Sequence, residues 1–195
     1  MLDKGSSQLS PAVQRIVRSF RWYGWASFWI QLILAVVSSL TLLFSSVLIN
    51  FQTTSDVPRD NPGAGIGLAL AGLGLLALYG GAYWAFRYTR LSRQLRSPTS
   101  ETRPRPSDVT RSLRIGIIVN MAGMFLTLLG GEALIGALVS KALSQPQGGA
   151  AIFERITQAI QPLDIWVIQA NINIALAHFF GIAISLWLVQ IMGRQ

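Results

Sequence analysis

The sequence predicts an all-α integral membrane protein, a four-helix bundle forming one domain over residues 1–195. Three observations lead to this class. Only 12% of the residues are charged while 51% are hydrophobic, against roughly 25% charged in soluble domains. Four apolar runs each exceed the roughly 20 residues that cross a hydrocarbon core of about 30 Å at about 1.5 Å per residue. Lipid offers the backbone no hydrogen-bond partners, so runs of this kind must satisfy themselves as helices. Finally, the basic residues are segregated. All of the sixteen except Arg59, Lys141 and Arg155 lie before the first run, between the second and third, or after the fourth. The positive-inside bias therefore predicts both termini and the central loop on the cytoplasmic side.

Taken in order, residues 10–23 are predicted to form an amphipathic helix on the membrane surface. Ser10-Pro11 reads as a cap followed by a proline at the first helical position. Val13, Ile16, Val17 and Phe20 follow at helical spacing, with Arg15, Arg18 and Arg21 on the remaining surface, a pattern suited to anionic lipid. Trp22, Tyr23, Trp25 and Trp29 then make an aromatic anchor for span 1, at 25–50. The 10–23 and 25–50 stretches together do not resemble a cleavable signal, because the apolar run is too long and lacks a small-residue cleavage site. Span 2, at 64–88, is expected to continue past the lipid: Arg87, Arg90, Arg93 and Arg96 recur beside an apolar stripe of Tyr88, Leu91 and Leu95. The proline-rich stretch 97–107 is predicted to be a mobile basic loop, with Ser107-Asp108 capping the entry to span 3 at 114–140. A short outer-loop helix is predicted at 151–160, where Ile152, Phe153, Ile156 and Ile160 share one side. Span 4 occupies 164–192.

The net charge of +8 is explained by loop orientation, so no nucleic acid partner is expected. The expected partners are the lipid bilayer, anionic lipids, and a homo-oligomer or larger membrane complex. Arg15, Arg18, Arg21, Arg90, Arg93 and Arg96 are the candidates for docking lipid or a partner protein. With no cysteine there is no disulfide framework and no thiolate metal site. The segment GLGLLA, residues 72–77, matches the letter of a dinucleotide fingerprint but lies mid-span with no preceding strand. Gly63, Gly67 and Ala71 likewise give a small-residue packing pattern. One histidine, few carboxylates and no nucleotide motif make an enzyme unexpected, and no resident cofactor is expected.

The informative residues lie inside the spans. At about 100° per residue, side chains seven apart drift by only about 20°, so heptad spacing makes a nearly straight stripe. In span 4, Asp164, Asn171, His178 and Ser185 share one face, while Gln169 and Asn173 take the opposite one. Span 1 carries Gln31, Ser38 and Ser45 in the same register, and the antiparallel course of the two spans allows these stripes to face each other. Span 3 adds Asn120 and Thr127 on a glycine-bearing side, with Glu132 projecting elsewhere. A helix polar on both sides is expected to be central, or shared with a neighbouring protomer.

Two readings follow. In one, these amides and hydroxyls join helices by hydrogen bonds, a role given chiefly to Gln31, Ser38, Ser45, Asn120, Thr127 and Ser185. In the other, His178, Glu132, Asn171, Asn173, Asp164 and Gln169 line a path for a cation, with His178 and Glu132 as the candidate metal ligands.

The segments FWIQLILAVVS, YTRLSRQLR, RPSDVTRSLRIGIIVNMAGMFLTLLG, LVSKAL and LDIWVIQANINIALAHFFG resemble, in order over residues 15–190, a cyanobacterial and plastid membrane-protein family. That family includes the chloroplast inner-envelope "permease in chloroplasts", also described as a component of the Tic translocon. The resemblance implies transport of iron, as cargo, across an inner membrane; its alternative implication is a non-enzymatic subunit of a protein-translocation or assembly complex. The chain begins almost at its first helix, as a bacterial member in a cyanobacterial inner membrane would. Gln169, Asn173, Asp164 and His178 match the plant pattern, whereas Glu132 and Asn171 replace a Gln and a Ser there.

Overall fold

The computed structural model describes residues 11–52, 62–96, 104–143 and 162–193. They form four helices: α1 (Pro11–Gln52), α2 (Pro62–Leu95), α3 (Pro106–Leu143) and α4 (Pro162–Gly193). Each begins at a proline, whose fixed φ suits the first helical position and whose missing N–H would have no partner there. Asp108 and Asp164 sit in first turns, and Arg93 and Lys141 in last turns, the arrangement that opposes the helix dipole. All four are long and apolar enough to cross a membrane. At 32 to 42 residues, they run roughly 48 to 63 Å, well beyond a hydrocarbon core.

The helices pack as a ring in chain order, α1 against α2, α2 against α3, α3 against α4 and α4 back against α1. The α2–α4 diagonal is also in contact. Span 4 is thus one corner of a four-membered ring. Large apolar side chains cover the outside, among them Ile33, Leu40, Leu73, Phe125 and Leu186, all exposed, which is the inverse of a soluble bundle.

Two apolar clusters form the core. One joins Ala35, Leu42, Leu78, Val167, Ala170, Ile174 and Ala177. The other joins Phe20, Tyr88, Leu91, Val109, Leu113 and Leu188 at the arginine-rich end. Between them along the helices lies a polar layer. Glycines set how closely α2 and α3 approach: a Cβ on Gly67 would stand 2.9 Å from the Leu134 nitrogen, and one on Gly130 2.9 Å from the Ala71 nitrogen.

The first helix differs from expectation. Residues 10–23 do not form a separate surface helix, because α1 runs unbroken from Pro11 to Gln52. Val17 and Phe20 are buried, and Phe20 lies in the cluster with Tyr88 and Leu113. That apolar stripe is therefore spent inside the bundle, Phe20 in one cluster with residues of α2, α3 and α4, with no proline after Pro11 to interrupt the helix. The expected outer-loop helix at 151–160 and most of the expected loop at 97–107 lie outside the described residues.

Candidate functional site

All four helices contribute to the polar layer. α4 brings His178, which is fully buried. Its Nδ1 lies 3.1 Å from Asn120 Oδ1 of α3, and its Nε2 lies 3.1 Å from the Gly74 carbonyl oxygen of α2. The amide of Asn120 is held in one orientation because its Nδ2 donates to the Gly116 carbonyl at 2.8 Å. Both imidazole nitrogens therefore face oxygen acceptors, while a neutral imidazole carries a single N–H. α1 brings Gln31, also fully buried. Its Nε2 donates to Ser27 Oγ at 3.1 Å, and its Oε1 has no hydrogen-bond donor among the described residues.

Glycines make room for this layer. A Cβ on Gly81 would stand 2.6 Å from Asn120 Oδ1 and 2.8 Å from Gln31 Oε1. A Cβ on Gly181 would stand 2.6 Å from the same Asn120 oxygen. The side chains of Gln31 and Asn120 thus fill volume that any larger residue at 81 or 181 would claim.

About two helical turns along α3 and α4 the layer continues. Thr127 Oγ1 donates to the Gly123 carbonyl at 2.7 Å, and Asn171 Nδ2 donates to the Thr127 carbonyl at 3.0 Å. Asn171 Oδ1 is buried without a donor among the described residues. Ser38 of α1 donates to the Ala170 carbonyl of α4 at 3.2 Å, and Ser45 is buried with no partner for its hydroxyl among the described residues. In the other direction, the Ser185 and Tyr88 hydroxyls meet at 3.2 Å. Gln31, Ser38, Ser45, Asn120, Thr127 and Ser185 are all buried.

The residues expected to line a cation path are divided. His178 and Asn171 lie inside. Glu132 is exposed on the outer surface of α3, since it stands roughly 100° around the helix from Gly131, which faces Asn171. Gln169 donates to Asn173 at 3.2 Å on the outside of α4. Asp164 pairs with Lys141 at 2.8 Å near the end of α3. No group of three or more His, Cys, Asp or Glu side chains able to hold a metal occurs among the described residues. His178 and Glu132 do not converge within one chain.

Of the six docking arginines, Arg15, Arg18, Arg21, Arg90, Arg93 and Arg96 are exposed at one end. Arg90 lies over the Phe86 ring at 5.3 Å. Sequence reasoning missed Ser27, Tyr88 and the Gly74 carbonyl as members of the layer. Ser27 carries a signal, being four residues before Gln31. Tyr88 was hidden in an apolar stripe, and a backbone carbonyl has no signal at all.

A model for a family of proteins of unknown function, DUF3611, matches residues 10–192. "Protein TIC 21, chloroplastic" of Arabidopsis thaliana is 32% identical over 195 residues, covering 97% of this chain and 62% of that protein. The chain thus spans somewhat under two thirds of that relative's length. No solved structure matches the chain.

Proposed function

The chain belongs to the DUF3611 protein family, and we propose that it acts there as a permease-type, multi-pass membrane subunit passing a metal cation, iron first among candidates, through its polar layer. The supporting observation is a surplus of acceptors. Amides that only tie helices together should end with donors and acceptors matched, because an unsatisfied buried polar group costs about 1–3 kcal/mol. Here Gln31 Oε1 and Asn171 Oδ1 are buried without donors, and both nitrogens of His178 face oxygen. Carbonyl oxygens pointing inward without donors are what replaces the hydration shell of a cation in a membrane.

The donors along the layer are neutral: Gln31 Oε1, the Gly74 carbonyl and the His178 imidazole at one level, and Asn171 Oδ1 about two helical turns away. Oxygen and imidazole ligands suit a hard or borderline cation. The lack of a carboxylate among them makes binding weak, which favours passage over storage. With no nucleotide motif in the sequence, a gradient or a partner would supply the driving force. The resemblance of the sequence to an envelope permease family adds support for iron.

The test is ferrous-ion uptake into liposomes carrying the purified chain. His178→Ala should reduce uptake at least about tenfold, the scale set by losing one interaction of about 1.4 kcal/mol. Glu132→Gln, outside the layer, should retain it. Uptake no faster than in protein-free vesicles would sink the permease reading.

A second reading, a non-enzymatic subunit of a translocation or assembly complex, is favoured by a different observation. Glu132, Gln169 and Asn173 lie on the outside of the bundle within the spans. Gln169 and Asn173 partly satisfy each other, and the carboxylate of Glu132 on an outward face is one that a partner from another chain would satisfy. Consistent co-purification of secretory or assembly subunits, without uptake, would favour this reading.

A further inference from the structure

At the arginine-rich end, residues 21–25 of α1 and 89–96 of α2 meet around a cleft of about 130 Å³, lined by Arg21, Trp25, Thr89, Ser92, Arg93 and Arg96. A water occupies about 30 Å³ of liquid, so the cleft accommodates a group several atoms in size. It exists because the two helices are close here: a Cβ on Gly24 would stand 3.2 Å from Thr89 Cγ2 and 3.3 Å from Tyr88 Cβ. Trp25 makes a fixed wall, stacked on Trp29 with centroids 6.0 Å apart and ring planes 19° apart. It also meets Phe86 edge-on at 6.5 Å.

The arginines of this end fall into two kinds. Arg87 and Arg90 lie over the rings of Trp84 and Phe86 at 5.4 and 5.3 Å. Among the described residues, the guanidinium groups of Arg21, Arg93 and Arg96 have no ring and no carboxylate upon them. Thr89 and Ser92 form a buried floor whose hydroxyls already donate to the Phe86 and Thr89 carbonyls, each at 2.7 Å. Among the described residues, the charge facing the cleft therefore comes from three guanidinium groups. Like charges repel around one small volume, and an anion with several oxygens relieves the repulsion while accepting the planar, paired N–H donors of arginine.

We propose that this cleft binds the phosphate of an anionic phospholipid headgroup, held by Arg21, Arg93 and Arg96. A lipid, in preference to a free anion, follows from the position of the cleft. Trp22 and Trp29 are 72% and 50% exposed beside it, and such aromatic residues sit at headgroup depth. Exposed Trp29, Ile33, Val36 and Leu40 continue along α1 away from the cleft, an apolar track for an acyl chain. The site is separate from the polar layer and does not depend on the transport reading.

The full chain, purified in detergent, is mixed with phosphatidylglycerol or phosphatidylcholine, and retained lipid is counted by native mass spectrometry. Phosphatidylglycerol should be retained about tenfold or more over phosphatidylcholine, as expected for charge-assisted hydrogen bonds from two or more arginines. Arg93→Gln with Arg96→Gln should abolish the preference, whereas Arg87→Gln should keep it. Arg93→Lys with Arg96→Lys preserves charge and folding, and should weaken retention by a smaller factor. Equal retention of the two lipids, or a preference unchanged in the glutamine pair, overturns the site. Displacement of phosphatidylglycerol by inorganic phosphate at equal concentration overturns the lipid assignment in favour of a free anion.

Discussion

His178 of α4 and Asn120 of α3 meet side chain to side chain, Nδ1 to Oδ1 at 3.1 Å, with the amide turned so that its nitrogen bonds the Gly116 carbonyl at 2.8 Å. Among the described residues, Asn120 is thereby the side chain that fixes the histidine from across the helix interface. Asn120→Ala would leave Nδ1 facing a void between α3 and α4. We expect a loss of about 1–3 kcal/mol in unfolding of the purified chain by sodium dodecyl sulfate, followed by circular dichroism. Ser46→Ala, which removes an exposed hydroxyl bonded to the Leu43 carbonyl of its own helix, should change stability by less than about 0.5 kcal/mol. Equal effects would show that the histidine contact adds nothing to the fold.

The glycines separate into those that set helix spacing and those that do not. A Cβ on Gly130 would meet backbone, the Ala71 nitrogen at 2.9 Å and the Gly67 oxygen at 3.0 Å, and backbone cannot turn aside. Gly130→Ala should therefore force α2 and α3 apart and cost about 1–3 kcal/mol. Gly72 and Gly136 have open space around them. There alanine should be neutral or add up to about 1 kcal/mol through helix propensity. The same detergent-unfolding series compares all three variants, and a uniform response would contradict the packing.

The four spans are legible in the sequence because length and hydropathy alone set a membrane helix. The inward faces of spans 1 and 4 are legible too: Gln31, Ser38 and Ser45, and Asn171, His178 and Ser185, repeat every seven residues, and their bundle makes that stripe an interior one. Three features are not legible, for three reasons. Glu132 lies one residue beyond an inward glycine, and that step of roughly 100° turns it outward; only knowing which side α4 occupies reveals this. The continuity of α1 depends on Phe20 entering a cluster with Tyr88, Leu113 and Leu188 of the other helices, whereas an amphipathic pattern fits a membrane surface equally well. The Gly74 carbonyl belongs to a backbone that every residue shares. Polar positions that could face either a path or a neighbour are thus sorted by tertiary contacts and by nothing local.

Asp164 and Lys141 form an ion pair at 2.8 Å with both side chains partly exposed, 32% and 26%. Partial exposure means solvent or headgroups already screen the pair, and such pairs contribute up to about 1 kcal/mol. Asp164→Asn should accordingly lower stability by no more than that. It should also leave ferrous uptake unchanged, since the carboxylate is committed to Lys141 rather than to the polar layer. A fall in uptake comparable to that of His178→Ala would return Asp164 to the path.

Glu132 has no polar contact within its own chain among the described residues, although it lies nine positions before Lys141 in α3, roughly 14 Å along the helix axis. A carboxylate on the outward face of a membrane span is unfavourable wherever it meets hydrocarbon, and a second chain supplying a donor removes the cost. If a second copy is that chain, the surface around Glu132 must be its seat. Leu128 and Ile135, exposed one turn on either side, report on it, and a sequence with no cysteine makes introduced thiols unambiguous. Under mild oxidation in liposomes, Leu128→Cys and Ile135→Cys should each cross-link to a second copy. Leu73→Cys, on the exposed side of α2, should not. Adding Glu132→Leu to the Leu128→Cys chain should weaken the self-association read by cross-linking about five- to thirtyfold, matching the roughly 1–2 kcal/mol that polar contacts give between membrane helices. The same substitution should leave detergent unfolding of the uncross-linked chain unchanged or improved, because it removes a charge that nothing among the described residues satisfies. Cross-linking no greater at Leu128 and Ile135 than at Leu73 would rule out self-association through this face.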